Sequence, residues 1–113
     1  MYNYNAYVTK VIDGDTVHAQ VDLGFGLNYS LILRLFGINT AELKGKDKTV
    51  ANKAKLELIN LIQNKDVTIT TEKDKKEKYG RYLATIFIDG KSVNQNLIDK
   101  GLAVAYFGKG KVK

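Results

Sequence analysis

The chain has 113 residues, of which 44% are hydrophobic, and it contains no cysteine. This length favours one domain with a single modest core, and the absence of cysteine excludes disulfides and thiolate metal sites. No apolar run approaches the roughly 20 residues that span a bilayer, and residues 1–5 lack the basic start and apolar segment of a signal peptide. We therefore expect one domain over residues 1–113 with no membrane association. These features favour an intracellular or phage-encoded protein without fixing its location, and a mature fragment is the alternative.

The net charge of +6 is unevenly distributed along the chain. Residues 1–43 carry two cations and four carboxylates, so the positive excess lies in residues 44–113. A basic half suits a polyanionic partner such as nucleic acid. A solvated lysine-rich surface is the simpler alternative, and charge alone leaves both open.

Alternating apolar residues predict the strands of the first half. Residues 7–12 form an irregular first strand, and residues 17–23 alternate strictly, as in a half-buried strand. The glycines in residues 24–28 predict a hairpin loop. Residues 30–38 are apolar on both faces except at Arg34, which predicts a central strand covered on both sides.

A long helix follows a short polar loop. Thr49 can cap a helix that ends near Gln63. The apolar stripe of this helix, at helical spacing, is Ala51, Ala54, Leu58, Leu61 and Ile62.

Two further strands and a second helix complete the pattern. Residues 66–71 and 82–88 predict strands, separated by a charged loop over residues 72–78. Ser92-Val93-Asn94-Gln95 matches a capping box that opens a short helix. Gly101 stands where that helix would end.

Five short strands with helices after the third and the fifth do not alternate as in a parallel α/β fold. They favour a small, mostly antiparallel barrel with helices against one side, which is an OB-like fold of the α+β class.

The first chemical signal is the pair Asp13 and Asp15. Residues two apart point to the same side of an extended chain, and two carboxylates there need a cation. Oxygen ligands favour Ca²⁺ or Mg²⁺ over zinc or copper. A glycine turn without a metal is the alternative interpretation of Asp-Gly-Asp.

Arg34 is the second signal, because it lies within an apolar strand. A cation withdrawn from water needs a carboxylate or a bound phosphate as its partner. A salt bridge to Glu42 or Asp15 is the structural alternative, and snorkelling of the aliphatic stem is a third.

Glu42 and Arg81 follow in loops. Glu42 can act as a general base if it positions a water against phosphorus, although a loop glutamate is usually only solvated. Arg81 can direct two parallel N–H groups at an oxyanion, or it is a surface turn arginine. Tyr79 and Tyr106 can stack on a base or pack near strand ends.

These segments belong to five motifs, which follow one another in a fixed order along the chain. Asp-Gly-Asp-Thr begins at Asp13, and Arg-Leu-x-Gly-Ile-x-Thr-x-Glu begins at Arg34. Lys-Tyr-Gly-Arg-x-Leu-Ala begins at Lys78, Asp-Gly-x-x-Val-Asn-x-x-Leu at Asp89, and Gly-Leu-Ala at Gly101. Together they closely resemble the staphylococcal nuclease (thermonuclease) family over about residues 6–107, leaving residues 108–113 as a flexible basic tail.

The resemblance implies a five-stranded OB-type barrel with helices and a calcium-dependent nuclease, which hydrolyses DNA and RNA with low sequence specificity. Asp15 would be a direct Ca²⁺ ligand, and Asn39 occupies the second carboxylate position. The backbone carbonyl of Thr40 would be a further ligand, with Asp13 as a supporting acid.

The same resemblance implies the catalytic residues. Arg34 and Arg81 would bind the phosphate and offset charge in the transition state. Glu42 matches the general base for the attacking water. The residues that would contact the phosphate and base of the nucleotide are Lys78, Tyr79 and Tyr106.

The chain departs from the family at three points. Asn39 replaces an aspartate, which predicts weaker calcium affinity, and Ala41 replaces a proline before Glu42. The chain also stops near Lys113, before the family's usual C-terminal helix, and a homodimer covering that face is one expected consequence. The alternative function is a nucleic-acid-binding module of the same fold that does not cut, while a protein-interaction domain has little support.

Overall fold

The computed structural model of the chain describes residues 2–39, 48–76 and 80–105, and for residues 48–51 and 72–76 it describes the backbone alone. Within these residues the chain forms strands and two helices. The strands are β1 (Tyr2–Asp13), β2 (Thr16–Gly24), β3 (Leu27–Leu35), β4 (Ile38–Asn39), β5 (Asp66–Lys76), β6 (Tyr82–Ile88), β7 (Lys91–Ser92) and β8 (Val104–Ala105). The helices are α1 (Lys48–Ile62) and α2 (Val93–Asp99).

Five strands close into a barrel in the order β3-β2-β1-β5-β6. Neighbouring strands are antiparallel except at the closure, where β3 and β6 run parallel from the pair Leu33–Tyr82 to the pair Leu35–Ala84. The prediction of a five-stranded OB-type barrel with two helices is confirmed. The short strand β4 leaves the barrel after β3 and pairs with β8.

Strict alternation explains which face of β2 forms the core. Val17, Ala19 and Val21 are at most 1% exposed, whereas His18 and Gln20 between them are exposed. Because successive strand residues point to opposite faces, one face of β2 fills the barrel and the other meets solvent.

Helix α1 covers one side of the barrel, as its apolar stripe predicts. It begins one residue before the predicted cap, Thr49. The fully buried members of the stripe are Ala54, Leu58 and Ile62. Leu61 is half-buried, and the side chain of Ala51 lies outside the described part.

The N-terminal cap and the C-terminal end of α2 are confirmed. The bond found for the Gln95 side chain runs from its Nε2 to Oδ1 of Asp99 at 2.9 Å, so the reciprocal half of the capping box is not confirmed. The hydroxyl of Ser92 accepts a hydrogen bond of 3.1 Å from the backbone N–H of Gln95. Beyond the helix, Gly101 has a φ of 73°, and the N–H of Leu102 reaches back to the carbonyl of Leu97 at 2.8 Å. Both ends of the helix therefore satisfy backbone groups that would otherwise lack partners.

Strands β1 and β5 are longer than their patterns predict. The added residues of β1 pair with β5 from Tyr2–Thr71 to Tyr7–Asp66, whereas the added part of β5 pairs with β6 at Lys76–Tyr82. Strand β5 then continues to Lys76, so the prediction of a charged loop from residue 72 is wrong for residues 72–76. Backbone pairing, which does not depend on apolar side chains, extends both strands.

The predicted strand over residues 30–38 is interrupted. β3 ends at Leu35, and Gly37 adopts a φ of 79° before β4 begins. This left-handed conformation favours glycine and ends the strand. The first four residues of β3, Leu27–Ser30, are exposed, so the strand is not covered on both sides along its length.

Candidate active site

The turn between β1 and β2 holds the acidic pair. Within it, the N–H of Asp15 donates to Oδ1 of Asp13 at 3.1 Å. The hydroxyl of Thr16 donates to Oδ1 of Asp15 at 3.1 Å. Asp15 is 7% exposed, so this carboxylate is held in place and largely removed from water.

Arg34 is brought to Asp15 by the register of the β2–β3 hairpin, which pairs Thr16 with Arg34. Its Nη2 lies 3.4 Å from Oδ2 of Asp15, and the two side chains are 14% and 9% exposed. Its Nη1 donates to the carbonyl of Leu35 at 2.8 Å. Of the alternatives for Arg34, the ion pair with Asp15 is therefore present.

The end of β3 is tied to the same turn. The N–H of Leu35 donates to the carbonyl of Asp15 at 2.9 Å, and the N–H of Phe36 donates to the carbonyl of Ala84 at 2.7 Å. These bonds fix the acidic turn, the end of β3 and the start of β6 relative to one another. The site therefore rests on the stretch where the barrel closes.

Arg81 immediately precedes β6 and is half-buried. Arg34 pairs with Leu83 across the parallel β3–β6 contact, so these two side chains share a face of the sheet. Arg81 stands two residues before Leu83, and residues two apart on an extended chain point to the same side. The register thus predicts that Arg81, which precedes β6, lies on the same face of the sheet as Arg34.

Asn39 lies on β4, paired with Val104, and is half-buried. Its amide oxygen and the carboxylate of Asp15 are the hard oxygen donors that Ca²⁺ takes, so the donor set fits the ion in kind. Only Asp15 of the two brings a charge. Among the described residues, no three Asp, Glu or His side chains gather closely enough to hold a metal ion.

The remaining predicted site residues lie outside the described part of the chain. They are Thr40, Glu42, Lys78, Tyr79 and Tyr106. Their roles stay predictions.

Asn94 is a positioning residue that sequence reasoning missed. It is 5% exposed, and its Oδ1 accepts from the N–H of Ile86 at 3.1 Å. Its Nδ2 donates to the carbonyl of Phe36 at 2.7 Å and to that of Ala84 at 3.2 Å. The sequence did contain a signal for it: an amide residue lies between the apolar residues Val93 and Leu97, on the face that the helix buries.

In the described part of the chain, no helix is both long and apolar enough to cross a membrane.

Comparison with known proteins shows which proteins the chain is similar to. The model of the family described as Staphylococcal nuclease homologue matches residues 32–113. An uncharacterized protein of Methanocaldococcus jannaschii is 32% identical over 136 residues, covering 98% of this chain and 63% of that protein.

Two relatives with nuclease names show similar levels of identity. Endonuclease YncB of Bacillus subtilis is 33% identical over 110 residues, covering 90% of this chain and 48% of that protein. The thermonuclease of Staphylococcus hyicus is 32% identical over 109 residues, covering 88% of this chain and 58% of that protein. The chain therefore spans about half the length of these two relatives.

Proposed function

Since the chain belongs to the staphylococcal nuclease homologue family, we propose that it hydrolyses phosphodiester bonds in DNA, RNA or both, with low sequence specificity. The names of endonuclease YncB and of the thermonuclease support a nuclease. The observation that carries the proposal is the Arg34–Asp15 ion pair, whose two side chains are 14% and 9% exposed.

The geometry of that pair suits an anionic substrate. The 3.4 Å between Nη2 of Arg34 and Oδ2 of Asp15 exceeds the roughly 2.7–2.9 Å of a tight charge-assisted hydrogen bond. A guanidinium also carries more N–H donors than the two contacts of Arg34 use. Arg34 can therefore bind a phosphate oxygen without first breaking a strong ion pair.

Asp15, Asn39 and the backbone carbonyl of Thr40 would hold a Ca²⁺ ion, with Asp13 supporting the turn. When bound, the ion supplies positive charge that offsets the negative charge of the phosphodiester.

The chain's own residues then divide the remaining work. Arg34 and Arg81 bind the non-bridging phosphate oxygens and stabilise the charge that grows on them as water attacks phosphorus. Glu42 accepts the proton of the attacking water. Lys78, Tyr79 and Tyr106 bind the phosphate and base of the nucleotide.

A digestion assay tests the proposal, with plasmid and single-stranded DNA incubated in Ca²⁺ or in chelator. We expect cleavage only with Ca²⁺. Loss of the general base in Glu42→Gln should slow cleavage by about 10²–10⁴-fold. Glu57→Gln makes the same chemical change on α1, away from the site, and should cleave at the wild-type rate.

The alternative is a module of the same fold that binds nucleic acid without cutting it. The uncharged amide at Asn39 favours it, because this position adds no charge to hold a divalent cation. Purified wild-type protein that binds DNA but shows no Ca²⁺-dependent cleavage, with Glu42→Gln behaving identically, would establish this alternative instead.

A further inference from the structure

The hairpin formed by β2 and β3 carries a concentration of exposed apolar side chains, which we call the hairpin patch. Its members and their exposed fractions are Leu23 (44%), Phe25 (101%), Leu27 (59%) and Tyr29 (54%), with Tyr2 (50%) beside them on β1. Within residues 19–33 the single charged residue is Asp22. A nearly uncharged apolar surface on a chain of net charge +6 indicates a binding surface.

Phe25 is the least expected member of the hairpin patch. It lies at the tip of a two-residue turn, with a φ of 57°, followed by Gly26 with a φ of 75°. Turns of this kind prefer asparagine, aspartate or glycine, because both central residues need positive φ. The ring is fully exposed, so no contact within the chain offsets the unfavourable backbone. Such an outlier points to a function outside the fold.

The same chain offers a cavity suited to a phenyl ring. It has a volume of about 230 Å³ and lies at the open end of the barrel next to the hairpin. Its lining residues are Tyr4, Val21, Leu23, Tyr29, Leu31, Ile69, Thr71 and Tyr82. None is charged, and an apolar cavity of about 150 Å³ is enough to bind benzene.

We propose that Phe25 of one copy inserts into the tyrosine-lined cavity of a second copy, and that the reverse contact completes a two-fold dimer. Both the inserted side chain and its receptor are on one chain, as a self-complementary interface requires. Charge disfavours nucleic acid as the occupant, because residues 19–33 of the hairpin carry Asp22 and no cation that could contact a phosphate backbone.

The size of the patch predicts how tightly the dimer associates. Aromatic side chains present roughly 150–250 Å² each, so the exposed part of the hairpin patch amounts to about 500–600 Å² per copy. Two copies would bury about 1,000–1,200 Å², the lower limit for specific interfaces. The dimer is therefore weak and forms in a concentration-dependent manner.

The tip of the hairpin lies far from the acidic turn of its own chain. Thr16 and Gly24 stand at opposite ends of β2, and nine residues of strand place them about 26 Å apart. The inserted Phe25 is therefore separated by the length of β2 from the Asp15 of its own copy.

Sedimentation equilibrium over a concentration series tests the dimer with three variants. Phe25→Asn should be monomeric and at least as thermally stable as wild type, because asparagine suits the turn. Tyr29→Thr removes one wall of the cavity and should weaken association at least tenfold. Leu56→Gln removes another exposed apolar side chain, 57% exposed on α1, and should associate like wild type.

Three results would overturn the proposal. The first is a wild-type protein that stays monomeric at the highest concentration reached. The second is association of Phe25→Asn with the wild-type constant. The third is a monomeric wild type that binds single-stranded DNA or neutral lipid vesicles through Phe25, which would assign the patch to that ligand.

Discussion

Asp15 shows how much depends on a single charge at the candidate site. It is almost fully buried, with Thr16 and Arg34 as its partners. A buried carboxylate is unfavourable unless it is paired, and here the turn and β3 supply the pairing. Asn39, the other described donor, brings an oxygen but no charge.

We predict that Asn39→Asp raises calcium affinity on the order of tenfold, because ligand charge strongly tunes Ca²⁺ binding. Cleavage measured against Ca²⁺ concentration, with calorimetric Ca²⁺ titration as a readout independent of activity, checks this. Asn60→Asp makes the same change at an exposed position of α1 and should leave both curves unchanged. An unaltered half-saturation in Asn39→Asp would contradict the prediction.

At the scale of elements, an ion pair connects Glu57 of α1 to Lys100, which directly follows α2. Oε2 of Glu57 on α1 accepts from Nζ of Lys100 at 2.6 Å and from Nδ2 of Asn96 at 3.3 Å. The hydrogen bond from Lys100 lowers the pKa of Glu57 below its ordinary value of 4.5, against the opposing effect of burial, and Asn96 lowers it further. The charged form of Glu57 therefore stabilises the folded state.

This shift predicts the direction of a pH effect. Because the folded-state pKa is depressed, the stabilisation is present above the ordinary pKa and is lost as pH falls through the folded-state value. Wild type should exceed Glu57→Gln in stability at neutral pH by at most about 1 kcal/mol, since the Lys100 side chain is 52% exposed.

Urea unfolding of both proteins at neutral pH and at about pH 3 measures the difference. It should shrink at the lower pH, because the lowered pKa of Glu57 makes the stabilisation by its charged form decline as the pH falls. A difference that stays constant between the two pH values would show that the ion pair is not its source.

At the scale of the whole molecule, Asn94 connects α2 to the closure of the barrel. It contacts the backbone of Ile86 and Ala84 in β6 and of Phe36 just after β3. The parallel β3–β6 contact spans only three residue pairs, from Leu33–Tyr82 to Leu35–Ala84. A single buried amide thus reinforces this short contact between β3 and β6, which includes Arg34.

We predict that Asn94→Asp destabilises the protein by about 2–4 kcal/mol. The carboxylate cannot donate to the carbonyls of Phe36 and Ala84, and it brings a charge into a buried position. Chemical denaturation checks this value, with Asn60→Asp as a matched exposed control costing less than about 0.5 kcal/mol. Equal stability of the two variants would show that Asn94 is not essential to the closure.

Local sequence patterns were sufficient to predict much of the fold. The alternation of Val17, Ala19 and Val21 indicated a strand, because side-chain period depends only on the backbone. The spacing of Ala54, Leu58 and Ile62 indicated a helix for the same reason. The cap at Ser92 was also readable, since a capping bond joins residues only three apart.

Long-range pairing decided the rest. β1 extends beyond its apolar pattern because β5 supplies its backbone partners, and β5 extends beyond its own pattern along β6, where Lys76 pairs with Tyr82. Sequence motifs gathered Asp15 and Arg34 as candidates, but only the β2–β3 register shows that they form an ion pair. Asn94 can support the closure of the barrel only because α2 packs where β3 and β6 meet.

The sequence by itself determined the family and most strand and helix segments, and it supplied the predicted phosphate and calcium ligands, because each is a property of short segments in a given order. Tertiary structure alone decided that Arg34 meets Asp15, that Asn94 supports the closure, and that Phe25 stands exposed beside an apolar cavity. These three facts depend on which distant backbone groups pair, and strand register sets that in three dimensions.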